Sequence, residues 1–254
     1  MVKSKKIAFF QILYNPDYNA IENIKKSIRS GFEPIVYINK VNDSMLRELR
    51  KLKVIILGEN INLGIGSAFK TLEQYLIDNS DIGHFIYFDQ DTVVDDSTWL
   101  YIFEGYWGEF QYNDIGMLFY TSDDIKDDKS IVISSGSLFS VDIIKRYGMH
   151  DDNFFVEGSD YEYCLKLKYY KLRINIIKVE GIDHYSLQDG EVKLFFGKKI
   201  NIRVYGNARL KDFNRSHCKL LKFAILNYQL VEFLFLLKSM ALFNFNEIKA
   251  RLLS

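Results

Sequence analysis

Two carboxylates one residue apart, Asp89 and Asp91, close the apolar, aromatic run Phe85-Ile86-Tyr87-Phe88. A run of that composition reads as a buried strand. The C-terminal ends of strands in an open α/β sheet are where ligands sit. Two acids placed there, with Gln90 between them, are costly unless a positive charge neutralises them. A divalent cation carrying phosphates meets that need, since Mg²⁺ and Mn²⁺ prefer carboxylate oxygen. The plainer alternative is a pair of acids in a surface turn, against which the four preceding apolar or aromatic residues weigh.

A second group of acids, Glu157, Asp160 and Glu162, sits where a loop opens into a helix. Helix capping and the helix dipole explain two of them. A general base held near an acceptor hydroxyl is the functional alternative, and a capping geometry would also fix its carboxylate. His184, in a polar stretch after a strand, is either a metal ligand, a general base or neither.

The elements that must position these groups alternate. Ile7 to Leu13, Ile35 to Ile38, Val54 to Leu57 and the run before Asp89 read as strands, with helices between them. Four strands alternating with helices imply a parallel, doubly wound half. Asn19 with Glu22 has capping-box spacing, and Ile21, Ile24 and Ile28 mark a buried face. Asn15, Asn39 and the Asn62-Leu63-Gly64-Ile65-Gly66 loop follow strands, so they converge with Asp89 and Asp91 on one sheet edge. The glycines let backbone approach a ligand, and the helix after them offers N–H groups to an anion. Phe69 stands where a dinucleotide fingerprint needs its third glycine, and no phosphate-loop Lys-Ser/Thr follows.

Past Asp96 the rhythm changes. Trp99 to Trp107 reads as a helix, Ile115 to Tyr120 and Ile131 to Phe139 as strands, and Ser134-Ser135-Gly136-Ser137 interrupts the latter. Ile174 to Val179 is a further strand, 184–190 a loop, and the remainder helical, with a very apolar stretch from Phe223 to Phe245. Glu232 and Lys238 make that stretch a poor membrane span. Basic residues precede it, so it either packs as an ordinary helix or lies on an anionic membrane face.

The totals set bounds. The 254 residues are 48% hydrophobic, enough for one large α/β domain and a small appendage. Lys+Arg and Asp+Glu are each 33, so no global charge argues for nucleic acid. Cys164 and Cys218 form no disulfide framework or metal pattern, which suggests free thiols in a reducing compartment.

Taken together, the motifs resemble the inverting glycosyltransferases of family 2, in their rhamnosyltransferase-like branch. Tyr14-Asn15-Pro16-Asp17 resembles that branch's TYNPD opening. Residues 59–68 resemble its asparagine- and glycine-bearing loop, and Asp89-Gln90-Asp91-Thr92 its DQDS form of the DxD motif. Ser135-Gly136-Ser137-Leu138 resembles its SGSL segment, and residues 155–166 its F-I-D-x-V-D-x-E-W-C-L-R stretch. His184 with the Gly190 loop resembles its HxxGD region in shifted form, and residues 205–209 loosely resemble Y-Y-x-x-R-N. Asn39 and Ser159 depart from the usual Asp and Glu.

The resemblance implies a GT-A fold: a Rossmann-like mixed α/β sheet flanked by helices, with C-terminal helices. Its expected division is a catalytic domain over 1–200, with a nucleotide-binding half 1–95 and an acceptor half 96–200, then a helical extension 201–254. It implies a nucleotide-diphosphate sugar donor, with dTDP-rhamnose as the best choice. The acceptor would be a glycan or lipid-linked glycan of a surface polysaccharide, and the cofactor Mn²⁺ or Mg²⁺. Asp91 would bind the metal, Asp89 would lie by the ribose and the metal, and His184 would be a further ligand. Asn15, Asn39, Asn62, Gly64 and Gln90 would line the donor site. Asp160 matches the catalytic base and Glu162 the neighbouring acid, while Ser135, Gly136, Ser137 and Glu157 would border sugar and acceptor. The expected location is cytoplasmic, with peripheral contact to the inner membrane through the C-terminal helices. A UDP-sugar donor, a non-catalytic scaffold and a haloacid-dehalogenase-like phosphohydrolase are the alternatives.

Overall fold

The computed structural model describes residues 6–79, 81–110, 114–125, 131–184, 191–195, 198–202 and 205–253. Two compact units divide them: residues up to 155 with 159–185, and residues 156–158 with 186 onward.

The first unit is built on strands β1 (Lys6–Tyr14), β2 (Glu33–Lys40), β3 (Ile55–Leu57) and β4 (Ile82–Tyr87). Helices α1 (Tyr18–Arg29), α2 (Asp43–Lys51) and α3 (Ile65–Asp78) connect them. All pairings among these four strands are parallel. After β4 come the short β5 (Thr92–Val94), α4 (Asp96–Glu109), β6 (Ile115–Thr121), β7 (Ser137–Ser140) and α5 (Val141–Tyr147). Then follow α6 (Ser159–Tyr169), β8 (Arg173–Lys178) and β9 (Ile182–His184). The seven-stranded sheet runs β3-β2-β1-β4-β7-β6-β8, with β7 antiparallel to both neighbours. This is the expected α/β class, a Rossmann-like mixed sheet with helices on both faces.

Alternation along the strands divides the core into two layers. Phe9, Leu13, Ile86 and Phe88 face α1 and α4, where Ile24 and Trp99 are fully buried. Phe10, Ile35, Phe85 and Phe139 face the other way, against Phe69 of α3 and Tyr163 of α6. Trp99 meets Phe9 edge-on at 4.8 Å and Phe32 at 5.1 Å, which locks α4 to the sheet. Truncating such a fully buried indole costs about 3–5 kcal/mol.

Several local expectations change. The N-cap of α1 is Asp17, whose carboxylate accepts the Asn19 N–H at 2.9 Å, rather than Asn19 in a capping box. Ile28 is exposed, because the buried stripe of α1 runs through Ala20, Ile21 and Ile24. Of the strand expected over Ile131 to Phe139, only Ser137 onward pairs. Gly136 breaks it at φ +93°, where a side chain would meet the Tyr120 carbonyl at 2.2 Å. The helical remainder expected after 190 begins instead with an antiparallel hairpin, β10 (Glu191–Phe195) and β11 (Lys198–Ile202).

In the second unit that hairpin is followed by α7 (Asn207–Leu226) and α8 (Leu230–Leu253). Tyr228 at φ +57° turns the chain between them, so the apolar stretch is two helices rather than one. Asn214 and Asn244 exchange amide hydrogen bonds of 3.1 and 2.8 Å, and Phe213 stacks on Phe243 at 3.7 Å. No described helix is long and apolar enough to cross a membrane.

Candidate active site

The acid pair lies where β4 leaves the sheet. Past Tyr87 the chain turns, with the Thr92 N–H donating to the Asp89 carbonyl at 3.1 Å. It then enters β5, which pairs antiparallel with β9 so that Thr92 stands opposite His184. That pairing carries the histidine to the acids: ligand atoms of Asp89, Asp91 and His184 all lie within 4.8 Å of one another. His184 Nδ1 is 4.0 Å from Asp91 Oδ1. His184, expected in a loop, thus ends a short strand; residues 185–190, the rest of that loop, lie outside the described residues.

Hydroxyls hold the cluster. The Asp89 N–H donates to Ser135 Oγ at 3.0 Å, Ser135 Oγ is 2.9 Å from Thr92 Oγ1, and Thr92 Oγ1 is 2.7 Å from His184 Nδ1. The Ser-Gly-Ser segment is therefore wired to the histidine through Thr92. Gln90 turns away from the acids and clamps Tyr14, accepting its N–H at 2.7 Å and donating to its carbonyl at 2.9 Å. The Tyr87 hydroxyl donates to Asp89 Oδ1.

Electrostatics mark the same spot. Burial raises the Asp89 carboxyl above its ordinary value; the Tyr87 hydrogen bond opposes this, and the Asp91 charge adds to it. Burial also holds the Tyr87 phenol well above its usual range, reinforced by Asp89, Asp91 and Asp160, so the expected base shares a field with the acid pair. Among the described residues no lysine or arginine pairs with Asp89 or Asp91. Two carboxylates and an imidazole, with no lysine or arginine beside them among the described residues, form a donor set that fits a divalent metal.

The glycine loop serves a different purpose from the one expected. Gly64 has φ +89°, and a side chain there would lie 2.3 Å from the Phe155 carbonyl. The Ile65 and Gly66 N–H groups donate to the carbonyls of Phe155 and Phe154 at 2.5 and 3.1 Å. The start of α3 therefore spends these donors on the protein's own backbone rather than offering them to an anion. Asn39 accepts the Leu63 N–H at 3.0 Å and Asn62 accepts the Gly64 N–H at 3.1 Å, so both amides shape this loop. Asn15, at φ +45°, donates its N–H to the Lys40 carbonyl at 2.7 Å.

Asp160 stands in the first turn of α6 and accepts the Tyr161 N–H at 2.9 Å. It lines a shallow surface depression together with Ser134, Ser137, His150, Tyr163 and Cys164. Glu162 lies elsewhere: it is almost buried and pairs with Lys166 one turn on, at 3.0 Å. Glu157 belongs to the second unit, where Arg209 Nε reaches its carboxylate at 2.6 Å. Asp212 of α7 accepts the N–H groups of Val156 and Glu157 at 3.1 and 3.0 Å.

Sequence reading missed His150 and Glu73. Their side chains are wholly buried, with His150 Nδ1 2.5 Å from Glu73 Oε1, and the imidazole is stacked between Phe69 and Tyr163, each at 4.3 Å. The signal was present: Glu73 follows Phe69 by four positions on the apolar face of α3, where an acid requires a partner.

No protein-family model and no curated protein matches the chain. Among solved structures, S. aureus TarS (residues 1–349) is similar at 13% identity over 70% of this chain, with a TM-score of 0.48. The chain spans 59% of that protein. A cytidylyltransferase from Leptospira borgpetersenii serovar Hardjo-bovis is 10% identical over 77% of this chain and 81% of its own, TM-score 0.46. A 4-diphosphocytidyl-2C-methyl-D-erythritol synthase is 12% identical over 71% and 91%, TM-score 0.47.

Proposed function

We propose that the chain is a metal-dependent inverting glycosyltransferase that moves a sugar from a nucleoside diphosphate to an acceptor hydroxyl. The observation that carries this is the convergence of Asp89, Asp91 and His184 at the C-terminal end of β4, with no lysine or arginine among the described residues paired with the acids. Asp89, Asp91 and His184 hold the metal, and the imidazole in the set favours Mn²⁺ over Mg²⁺. A divalent cation there supplies charge stabilisation for the departing diphosphate. Ser135 and Thr92 keep the His184 ring and the Asp89 backbone in register.

Asp160 accepts the proton of the acceptor hydroxyl, a role worth about 10²–10⁴-fold in rate. Attack from the Asp160 side inverts the anomeric centre in one displacement. Catalysis is assigned to the first unit, with the second, from 186 onward, as an extension that opens with the β10–β11 hairpin. The motif resemblance supports rhamnose from dTDP-rhamnose as donor and a surface-polysaccharide glycan, lipid-linked or free, as acceptor.

A thermal-shift screen of nucleotide sugars with Mn²⁺ and Mg²⁺ tests the donor half. A dTDP-sugar should stabilise the protein only when metal is present. Asp160→Asn should abolish transfer, by at least about 10²-fold, while leaving that shift intact. Full transfer activity in Asp160→Asn would remove Asp160 from its role. Pyrophosphate release from a nucleoside triphosphate would show a nucleotidyltransferase instead.

A further inference from the structure

The second unit buries both acids of α8 and leaves much of its apolar surface outside. Glu232 and Glu247 are 2% and 4% exposed, beside the buried Leu236 and Ala250. The outward face carries Leu230, Leu234, Leu237, Phe245, Ile248 and Leu252, each between 46% and 81% exposed. Their spacing alternates between three and four residues apart from the step across Ala241, so they form one continuous stripe along the helix. Glu247 is turned inward to accept the Tyr205 N–H at 3.2 Å and to meet Arg251. Single exposed leucines are ordinary, but a contiguous stripe of this length marks a contact surface.

The charges of the α7–α8 helical hairpin identify the partner. Between 207 and 253 there are eight Lys or Arg and three carboxylates. None of the three is on the outside: Glu232 and Glu247 are buried, and Asp212 is taken up by the N–H groups of Val156 and Glu157. The exposed positions of α7 include Lys211, Arg215 and Lys222, and Lys238 is exposed on α8. The hairpin therefore shows solvent an apolar stripe and cations, with no exposed acid. A second copy paired through this face would set like charges against each other across a two-fold axis. An anionic lipid surface takes both features, with apolar side chains entering the headgroup boundary and cations meeting the phosphates.

We infer that the α7–α8 hairpin is a docking surface for an anionic lipid bilayer, on which α8 lies flat. It fits the finding that no described helix can span, and it stands independently of the donor site. The test is co-sedimentation of the full chain with vesicles of phosphatidylcholine alone and of phosphatidylcholine mixed with phosphatidylglycerol. Wild-type protein should sediment with the anionic vesicles and remain in the supernatant with the neutral ones. Arg215→Glu/Lys222→Glu should weaken binding at least about tenfold. Leu234→Asp/Phe245→Asp should weaken it by about a hundredfold. All four positions are exposed, so thermal melting should match wild type. Equal binding to both vesicle types, or none to either, overturns the proposal. So does a concentration-dependent dimer that Leu234→Asp/Phe245→Asp converts to monomer.

Discussion

Two pairs of acids in the first unit are treated in opposite ways. Glu73 and Glu162 are buried in helix packing, and each has a basic partner from the chain: His150 for Glu73, Lys166 for Glu162. Asp89 and Asp91 stand half-buried at the strand ends, close to each other and to His184, with no lysine or arginine among the described residues to pair with them. Burial differs between the two pairs, but it does not say what neutralises each. What separates them is the source of the compensating charge. Acids whose partner is built into the fold stabilise it, and acids left together without one fit a cation from outside.

The largest effect expected from this contrast is on Glu73. Glu73→Ala leaves His150 fully buried with its Nδ1 and backbone N–H both unmatched. Breaking such a pair costs about 3–5 kcal/mol, read as the denaturant midpoint in urea at unchanged slope. A loss under about 1 kcal/mol would mean that Glu73 and the imidazole do not depend on each other, and the contrast would lose its structural side.

Next in size is the response to metal. Mn²⁺ at a hundred times its dissociation constant should stabilise the wild-type protein by about 2.7 kcal/mol, and Asp91→Ala should remove that gain. Glu162→Gln, by contrast, should keep it, since Glu162 pairs with Lys166 away from the cluster. An Asp91→Ala protein that Mn²⁺ stabilises as much as wild type would show that the ion binds elsewhere.

Much of this contrast could be read from the sequence, and the reasons it was only partly legible are physical. The buried strand ending in Asp89 and Asp91 announced itself because apolar runs and abrupt acids are local signals. Which acids would be neutralised internally depends on long-range pairing, which is not local. Thr92 lands opposite His184 only because β5 and β9 form a small antiparallel pair. Glu73 meets His150 only because α3 packs beside the segment before α6. The glycine loop is ambiguous in sequence for a related reason. A glycine required by a nearby carbonyl and one required by a ligand are identical in sequence, and Phe155 made the difference at Gly64. The hairpin at 191–202 was hidden because its two short strands are stable only with each other.

The smallest expected effect is the one that separates the two classes of acid by sign. Asp89 has a folded-state value raised above the ordinary 3.8, because burial and the Asp91 charge disfavour its ionised form. A raised value means that the folded state holds the proton more tightly than the unfolded chain. The resulting stability is fully present below pH 3.8 and is lost as pH rises through the folded value. At neutral pH, where the unfolded chain's carboxyl is ionised, the metal-free protein has therefore lost that contribution. Asp89→Asn should stabilise the metal-free protein at pH 7, by something on the order of 1 kcal/mol, and the gain should shrink as pH falls toward 4. Saturating Mn²⁺ should reverse the order, making wild type the more stable, because the charge that opposes folding alone is the one that holds the ion. A paired acid such as Glu73 cannot behave this way, since its removal destabilises with or without metal. Thermal melts of wild type and Asp89→Asn, with and without Mn²⁺ at three pH values, would show the crossover, and its absence would place Asp89 with the structural acids.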